Sequence, residues 1–149
     1  MIPKMKLIDI TVKRTISASV DKVFDAWMDP KCPGGAWFGG ETLIMAPAPP
    51  VARSLFYFTV SWDGHTWAHF GRFVEIRPPD KVEYTWMGEG TKGIESTVTV
   101  TFVGRDRETD VTLRHANLPD DELGRATEWG WAHILDSIAE ALAQNSASA

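Results

Sequence analysis

The chain has 149 residues, 44% of them apolar and 23% charged, with a net charge of −5. That is apolar surface enough for one domain with its own core, and the scattered Lys and Arg form no basic stripe of the kind a nucleic-acid surface needs. The lone Cys32 excludes an internal disulfide, no Cys/His spacing resembles a zinc site, and Met1 to Asp9 lacks the apolar run of a secretory signal or membrane anchor, so a metal-free cytoplasmic protein is expected.

Ile8, Ile10, Val12, Arg14 and Ile16 alternate with polar residues and predict a first strand that stops near Ser17-Ala18. Ser19 then stands where it can cap a short helix with Val20, Val23, Phe24 and Trp27 at helical spacing, and Asp29-Pro30 ends it because a residue before proline disfavours the helical region. A second short helical piece, weakened by Pro33-Gly34-Gly35, is expected before Trp37-Phe38-Gly39-Gly40. A strand near Glu41 to Met45 runs into a loop marked by Pro47, Pro49 and Pro50. Strands at about Arg53 to Trp62, Trp67 to Ile76 and Lys81 to Met87 follow, joined by turns at Asp63-Gly64 and Pro78-Pro79-Asp80.

In Glu95 to Phe102, Ser96, Val98, Val100 and Phe102 share one face and Thr97, Thr99 and Thr101 the other, so one side is buried and one is wet. Asp110 to His115 gives the seventh strand. Only the segment from about Pro119 to Ala143 is long enough to cover the sheet. Asp120, Asp121 and Glu122 favour the positive end of that helix, and Leu123, Thr127, Trp131, Ile134, Leu135, Ile138 and Leu142 form its apolar stripe. Trp131, burying about 150–250 Å² and contributing at most ~4–6 kcal/mol, is its expected anchor. Residues 8–143 form the expected core of a single domain spanning 1–149, with a frayed tail from Ala143 onward.

Asp29-Pro30 followed by Trp37-Phe38-Gly39, then Gly71-Arg72-Phe73-Val74-Glu75-Ile76 leading to Pro79 and Lys81, the Glu95-Ser96-x-Val98 strand, His115, and Gly130-Trp131 with Leu135 and Ile138 resemble the AHSA-type branch (activator of heat-shock chaperone ATPase homologues) of the SRPBCC, or START-like, superfamily. The resemblance spans nearly the whole chain. It implies an α+β helix-grip fold of the birch-pollen-allergen kind: a seven-stranded antiparallel sheet wrapped around a long C-terminal helix, two short helices after the first strand, and a hydrophobic cavity between sheet and helix. Relatives in the superfamily bind lipids, polyketides or plant hormones, and some are cyclases or dehydratases. No shared catalytic set carries over. Pro33-Gly34-Gly35 departs from the more helical piece usual in relatives.

Alternation then names the expected cavity wall. With Val98, Val100 and Phe102 inward, Val111, Leu113 and His115 follow on one neighbouring strand and Val82, Tyr84 and Trp86 on the other. Phe56, Phe58, His69, Gly71 and Phe73 are expected to face inward on the two remaining long strands, and Thr127 and Trp131 from the helix. Among seven tryptophans, Trp37, Trp62, Trp67 and Trp86 are candidates to shape a site for a flat apolar ligand, with packing in the core as the plainer role. His115, His69 and Tyr84 are the candidate acid–base groups, each with a structural alternative. Arg14 shares a face with Val12 and Ile16 and is a candidate to enter the cavity and meet Glu75 or a ligand carboxylate, or else to lie on the rim. Trp129 falls on the solvent face of the helix, as a loop cover or a homodimer contact.

No nucleophile elbow, phosphate-binding glycine loop or dinucleotide fingerprint is present, so no cofactor is expected, and Cys32 shows no sign of an activated thiolate. Three functions remain in view. The first is binding of a small apolar or aromatic molecule, the second a cyclase or dehydratase acting on a polyketide-like or aromatic substrate, and the third a protein-binding module that stimulates a chaperone ATPase.

Overall fold

Period-two alternation builds seven antiparallel strands in one sheet, ordered β1-β7-β6-β5-β4-β3-β2. The computed structural model describes residues 6–37, 42–46 and 50–147, without the side chains of Thr42, Ala46, Trp62 and residues 145–147. The chain runs β1 (Leu7–Ile16), α1 (Val20–Met28), β2 (Thr42–Ala46), β3 (Leu55–Trp62), β4 (His65–Arg77), β5 (Lys81–Gly88), a 3-10 turn (Glu89–Thr91), β6 (Ser96–Arg105), β7 (Glu108–Pro119) and α2 (Glu122–Ala147). Residues 38–41, which carry part of the Trp37-Phe38-Gly39 motif, and the loop prolines 47 and 49 lie outside the described residues.

The concave face is the one alternation names. Val82 and Tyr84 of β5, Ser96, Val98, Val100 and Phe102 of β6, and Val111, Leu113 and His115 of β7 are all buried. On β3 and β4, where both faces carry bulky residues, Phe56, Phe58 and Phe73 turn inward, while Leu55, Tyr57, Phe70 and Val74 lie exposed on the outer face. Gly71 is the tight point of this half of the sheet: a Cβ there would lie 1.9 Å from the backbone oxygen of Thr85 and 2.8 Å from the Phe56 ring.

Two expectations need correction. Among the described residues only one helix lies between β1 and β2; residues 30–37 run as turns, because Pro30, Pro33 and the glycines cannot sustain helical hydrogen bonding. Gly34, at φ +70°, sits so close to Ser137 of α2 that a Cβ would meet that side chain at 2.5 Å. This contact delivers Trp37 into the sheet, with ring centroids 5.1 Å from Phe56 and 5.4 Å from Tyr84. The second correction concerns the tail, since α2 continues to Ala147 instead of fraying after Ala143. Ser19 does occupy the N-cap position of α1, but its side chain makes no capping bond.

The start of α2 lies at Glu122, with Asp121 as its cap: Asp121 Oδ1 accepts the Gly124 backbone N–H at 2.8 Å, which holds the carboxyl below the usual carboxylate range. Trp131, Leu135 and Ile138 are buried against the sheet, whereas Leu123, expected in the same stripe, is 46% exposed. α1 buries Val23, Phe24, Ala26 and Trp27, and joins α2 through Trp27 and Trp131, whose rings lie 5.9 Å apart. Gly71→Ala should destabilise the fold by about 3 kcal/mol or more, because the added methyl meets backbone that cannot yield, and a urea unfolding curve beside wild type measures it.

Candidate functional site

α2 packs closely along β1, β7 and α1. Toward β3, β4 and β5 a cleft of about 500 Å³ stays open on one side. Phe58 and Val60 of β3, Trp67 and His69 of β4 and Trp86 of β5 form its sheet wall. Gly34, Gly35 and Ala36 close one end. From α2 come Leu123, Thr127, Gly130, Trp131, His133 and Ile134.

Of the residues named from sequence, the structure brings Phe58, Trp86, Thr127, Trp131 and His69 together on this cleft, with Trp67 beside them. Trp37, Phe56, Phe73 and Tyr84 instead pack ring against ring as filled core, with centroids 5.1–5.9 Å apart. Val98, Val100 and Leu113 lie in the same core, fully buried. Inward facing is common to core and cleft wall, so alternation cannot separate them. Val60, Gly130 and Ile134 were missed. Val60 follows from Phe58 by alternation and Ile134 from Trp131 by the three-residue step, while a glycine in mid-helix is itself a signal of required space.

Arg14 does not enter the cleft. It stands on the edge strand β1, which contributes nothing to the cleft lining, and its guanidinium reaches across to α2 and donates from Nε to Asp136 Oδ1 at 2.9 Å. Trp129 covers no described loop; it is 71% exposed and stacks on His133, at 5.5 Å and nearly parallel. The Trp62 side chain lies outside the described residues.

His115 is a structural histidine. The Trp131 indole N–H donates to its Nδ1 at 2.9 Å, and since an indole nitrogen can only donate, Nδ1 is bare and the proton sits on Nε2. Nε2–H then donates to Ser96 Oγ at 2.8 Å, and that hydroxyl donates to the Trp86 carbonyl at 2.6 Å. Every member is satisfied and the imidazole is wholly buried, which pushes its pKa down to about 3. Its one proton is committed to Ser96 and its one lone pair to Trp131, so neither nitrogen is free to meet a ligand. Tyr84 is likewise sealed, its hydroxyl without a hydrogen-bond partner and its pKa pushed up by burial, against an opposing pull from the Trp27 indole that falls short of hydrogen-bond geometry. Burial, with Asp29 nearby, also raises the Cys32 thiol.

His69 is the one candidate acid–base group on the cleft wall. Its ring lies between Phe58, stacked at 4.9 Å, and Trp86, at 4.7 Å. Burial pushes its pKa down to about 4, so it too is neutral at pH 7. Among the described residues, no three His, Cys, Asp or Glu side chains gather as a metal-binding group and no helix is long and apolar enough to cross a membrane.

The family model for Activator of Hsp90 ATPase homolog 1-like proteins matches residues 17–143. Among solved structures, protein CV1439 from Chromobacterium violaceum superimposes with a TM-score of 0.72 at 22% identity, over 89% of this chain and 94% of that one. Ara h 8.0201 gives 0.74 at 13% identity, over 93% and 99%. CalU16 from Micromonospora echinospora gives 0.68 at 20% identity, over 94% and 79%. These likenesses establish the helix-grip fold. No curated protein matches the sequence.

The buried His115 and the half-buried His69 both resist protonation in the fold, so between pH 6.5 and about 4 the unfolded chain takes up protons that the folded chain refuses. Stability is full above pH 6.5 and falls as pH drops, by roughly 1.4 kcal/mol per pH unit for each histidine in that window. Urea unfolding at pH 7 and pH 5 should show a loss of about 2 kcal/mol per histidine, and His115→Gln should keep only the His69 share of that loss.

Proposed function

The chain belongs to the family of Activator of Hsp90 ATPase homolog 1-like proteins, and on that footing we propose that it binds one small, largely apolar molecule in the cleft between α2 and strands β3 to β5. The observation that carries this reading is Gly130. A glycine inside a helix costs about 1 kcal/mol relative to alanine. Here no described atom beyond its chain neighbours and its own helix backbone lies within 4 Å of where its Cβ would be, so packing against other elements does not demand it. What the glycine preserves is open space, between Trp131 and Ile134 and opposite Trp67 and Trp86. The cleft's volume of about 500 Å³ falls inside the usual range for small-molecule sites.

A cyclase or dehydratase needs a positioned acid and base. His115 and Tyr84 are sealed away from the cleft, and among the described residues no carboxylate lines it beside His69 and His133, the latter stacked on Trp129, which supports a container over a catalyst. A reducing, cytoplasmic setting suits the single buried thiol of Cys32.

Gly130→Leu tests the site. Leucine favours the helix and has room at its Cβ, so the variant should melt at or above the wild-type temperature. Its isobutyl group should fill the cleft and weaken binding of the uncharged fluorescent probe N-phenyl-1-naphthylamine at least about tenfold, since each occluded ring contact removes apolar burial. Unchanged probe affinity in a folded variant would move the site elsewhere. Native mass spectrometry of the purified protein would identify a ligand carried through preparation.

A further inference from the structure

Resting on that reading, we propose that His69 donates a hydrogen bond from Nε2–H to a carbonyl oxygen of the bound molecule, so that the cleft takes an uncharged aromatic ketone or quinone. The argument begins with the two ring nitrogens. Nδ1 is sealed from solvent and has no partner. Nε2 makes no hydrogen bond among the described residues either, but it is not sealed, and the ring lies on the cleft wall. A neutral imidazole carries one proton. Burying a bare lone pair without a partner is more readily tolerated than burying an unpaired N–H, so the proton belongs on Nε2 and the lone pair on Nδ1. The low pKa of about 4 agrees with this, because a second proton would have to enter the sealed Nδ1 side.

The ring cannot easily turn to exchange its two edges, being held between Phe58 and Trp86. The cleft therefore presents a fixed donor. Of the other polar side chains on the wall, the Trp67 indole N–H is sealed without a partner and the His133 imidazole of α2 stacks on Trp129. The Thr127 hydroxyl donates to the Leu123 carbonyl at 3.0 Å, and the Trp131 indole donates to His115. The Trp86 indole N–H, neither bonded nor sealed, is a second donor beside the imidazole. Two unpaired donors side by side on the sheet wall call for an oxygen that accepts.

Charge narrows the class further. Among the described residues no Lys, Arg, Asp or Glu lines the cleft, so a carboxylate would shed its water with no cation to meet it and an ammonium would find no anion. Flat walls from Trp67, Trp86, Trp131 and Phe58 match a ring system in shape and polarisability. A neutral aromatic carbonyl compound satisfies all three conditions, and a purely hydrocarbon ring leaves both donors unpaired.

Three probes of one shape make the test: 2-acetylnaphthalene, 2-isopropenylnaphthalene, in which a methylene replaces the oxygen, and 2-naphthoate, which adds charge. Calorimetric titration of the full chain should find the ketone bound about five- to tenfold more tightly than the hydrocarbon, the gain of one net hydrogen bond, and the carboxylate weakest. His69→Phe keeps the stacked ring and should erase the ketone's advantage while leaving the hydrocarbon within about twofold of wild type. In the wild-type protein, imidazole 15N spectra should show a protonated Nε2 and a bare Nδ1 at His69, with Nε2 shifting on addition of ketone and not of hydrocarbon. Equal affinity for the two neutral probes, or a proton on Nδ1, overturns the ketone assignment and leaves the cleft as a binding site. Failure of all three probes to bind, alike in wild type and Gly130→Leu, overturns both.

Discussion

The Trp131 indole N–H has one partner, the Nδ1 of His115, and the placement of α2 follows from that bond. Left unpaired in so dry a place, the N–H would cost about 1–3 kcal/mol, and the same holds for each polar group down the chain to Ser96 and the Trp86 carbonyl. The network spans β5, β6, β7 and the helix, so the helix is tied to one part of the sheet at a distance set by side-chain length. Trp27 packs on Trp131 from the other side and α1 closes that flank. Held there, α2 stands clear of β3 and β4, and the cleft is the space that remains.

A bulge in β7 turns a residue beyond the key histidine back into the core. Pairing between β1 and β7 shifts register between Ile8 and Ile10, and the extra residue falls at Asn117, which adopts φ 65°. Asp9 holds the bulge by accepting the Asn117 backbone N–H and the Arg114 guanidinium. As a result His115 and Leu118, three positions apart, both point into the core, which strict alternation forbids. The histidine that anchors the helix and the leucine beneath the strand's end are thus buried together.

Much of this was readable in the residues. Alternation in Ser96 to Phe102, with threonines on the wet side, places a curved sheet with one greasy face, and the long amphipathic segment around Trp131 places its cover. Other features depend on distances that no periodicity carries. Trp37 and Phe58 are both large, aromatic and inward, yet one is filler and the other wall, because the backbone turn at Gly34 drives only the first beneath the helix. Arg14 shares the face of Val12 and still escapes inward burial, because β1 is an edge and Asp136 waits across it. His115 reads as a chemical group until its two partners, nineteen and sixteen residues away in sequence, are seen to use up both nitrogens.

The 3-10 turn that bridges β4 and α2 is held quite differently from the floor of the cleft. His65 at the start of β4 meets Glu89 of the 3-10 turn at 2.7 Å, and Lys92 just beyond that turn meets Asp121 at the head of α2 at 2.9 Å. These pairs are largely solvated, a kind of contact worth at most about 1 kcal/mol and weakened by salt, whereas the floor rests on buried rings and a closed polar chain. Local breathing is concentrated where the fasteners are weakest. Added salt therefore weakens the fasteners around the turn and leaves the anchor of the helix untouched, so the head and the middle of one helix respond differently to the same solvent.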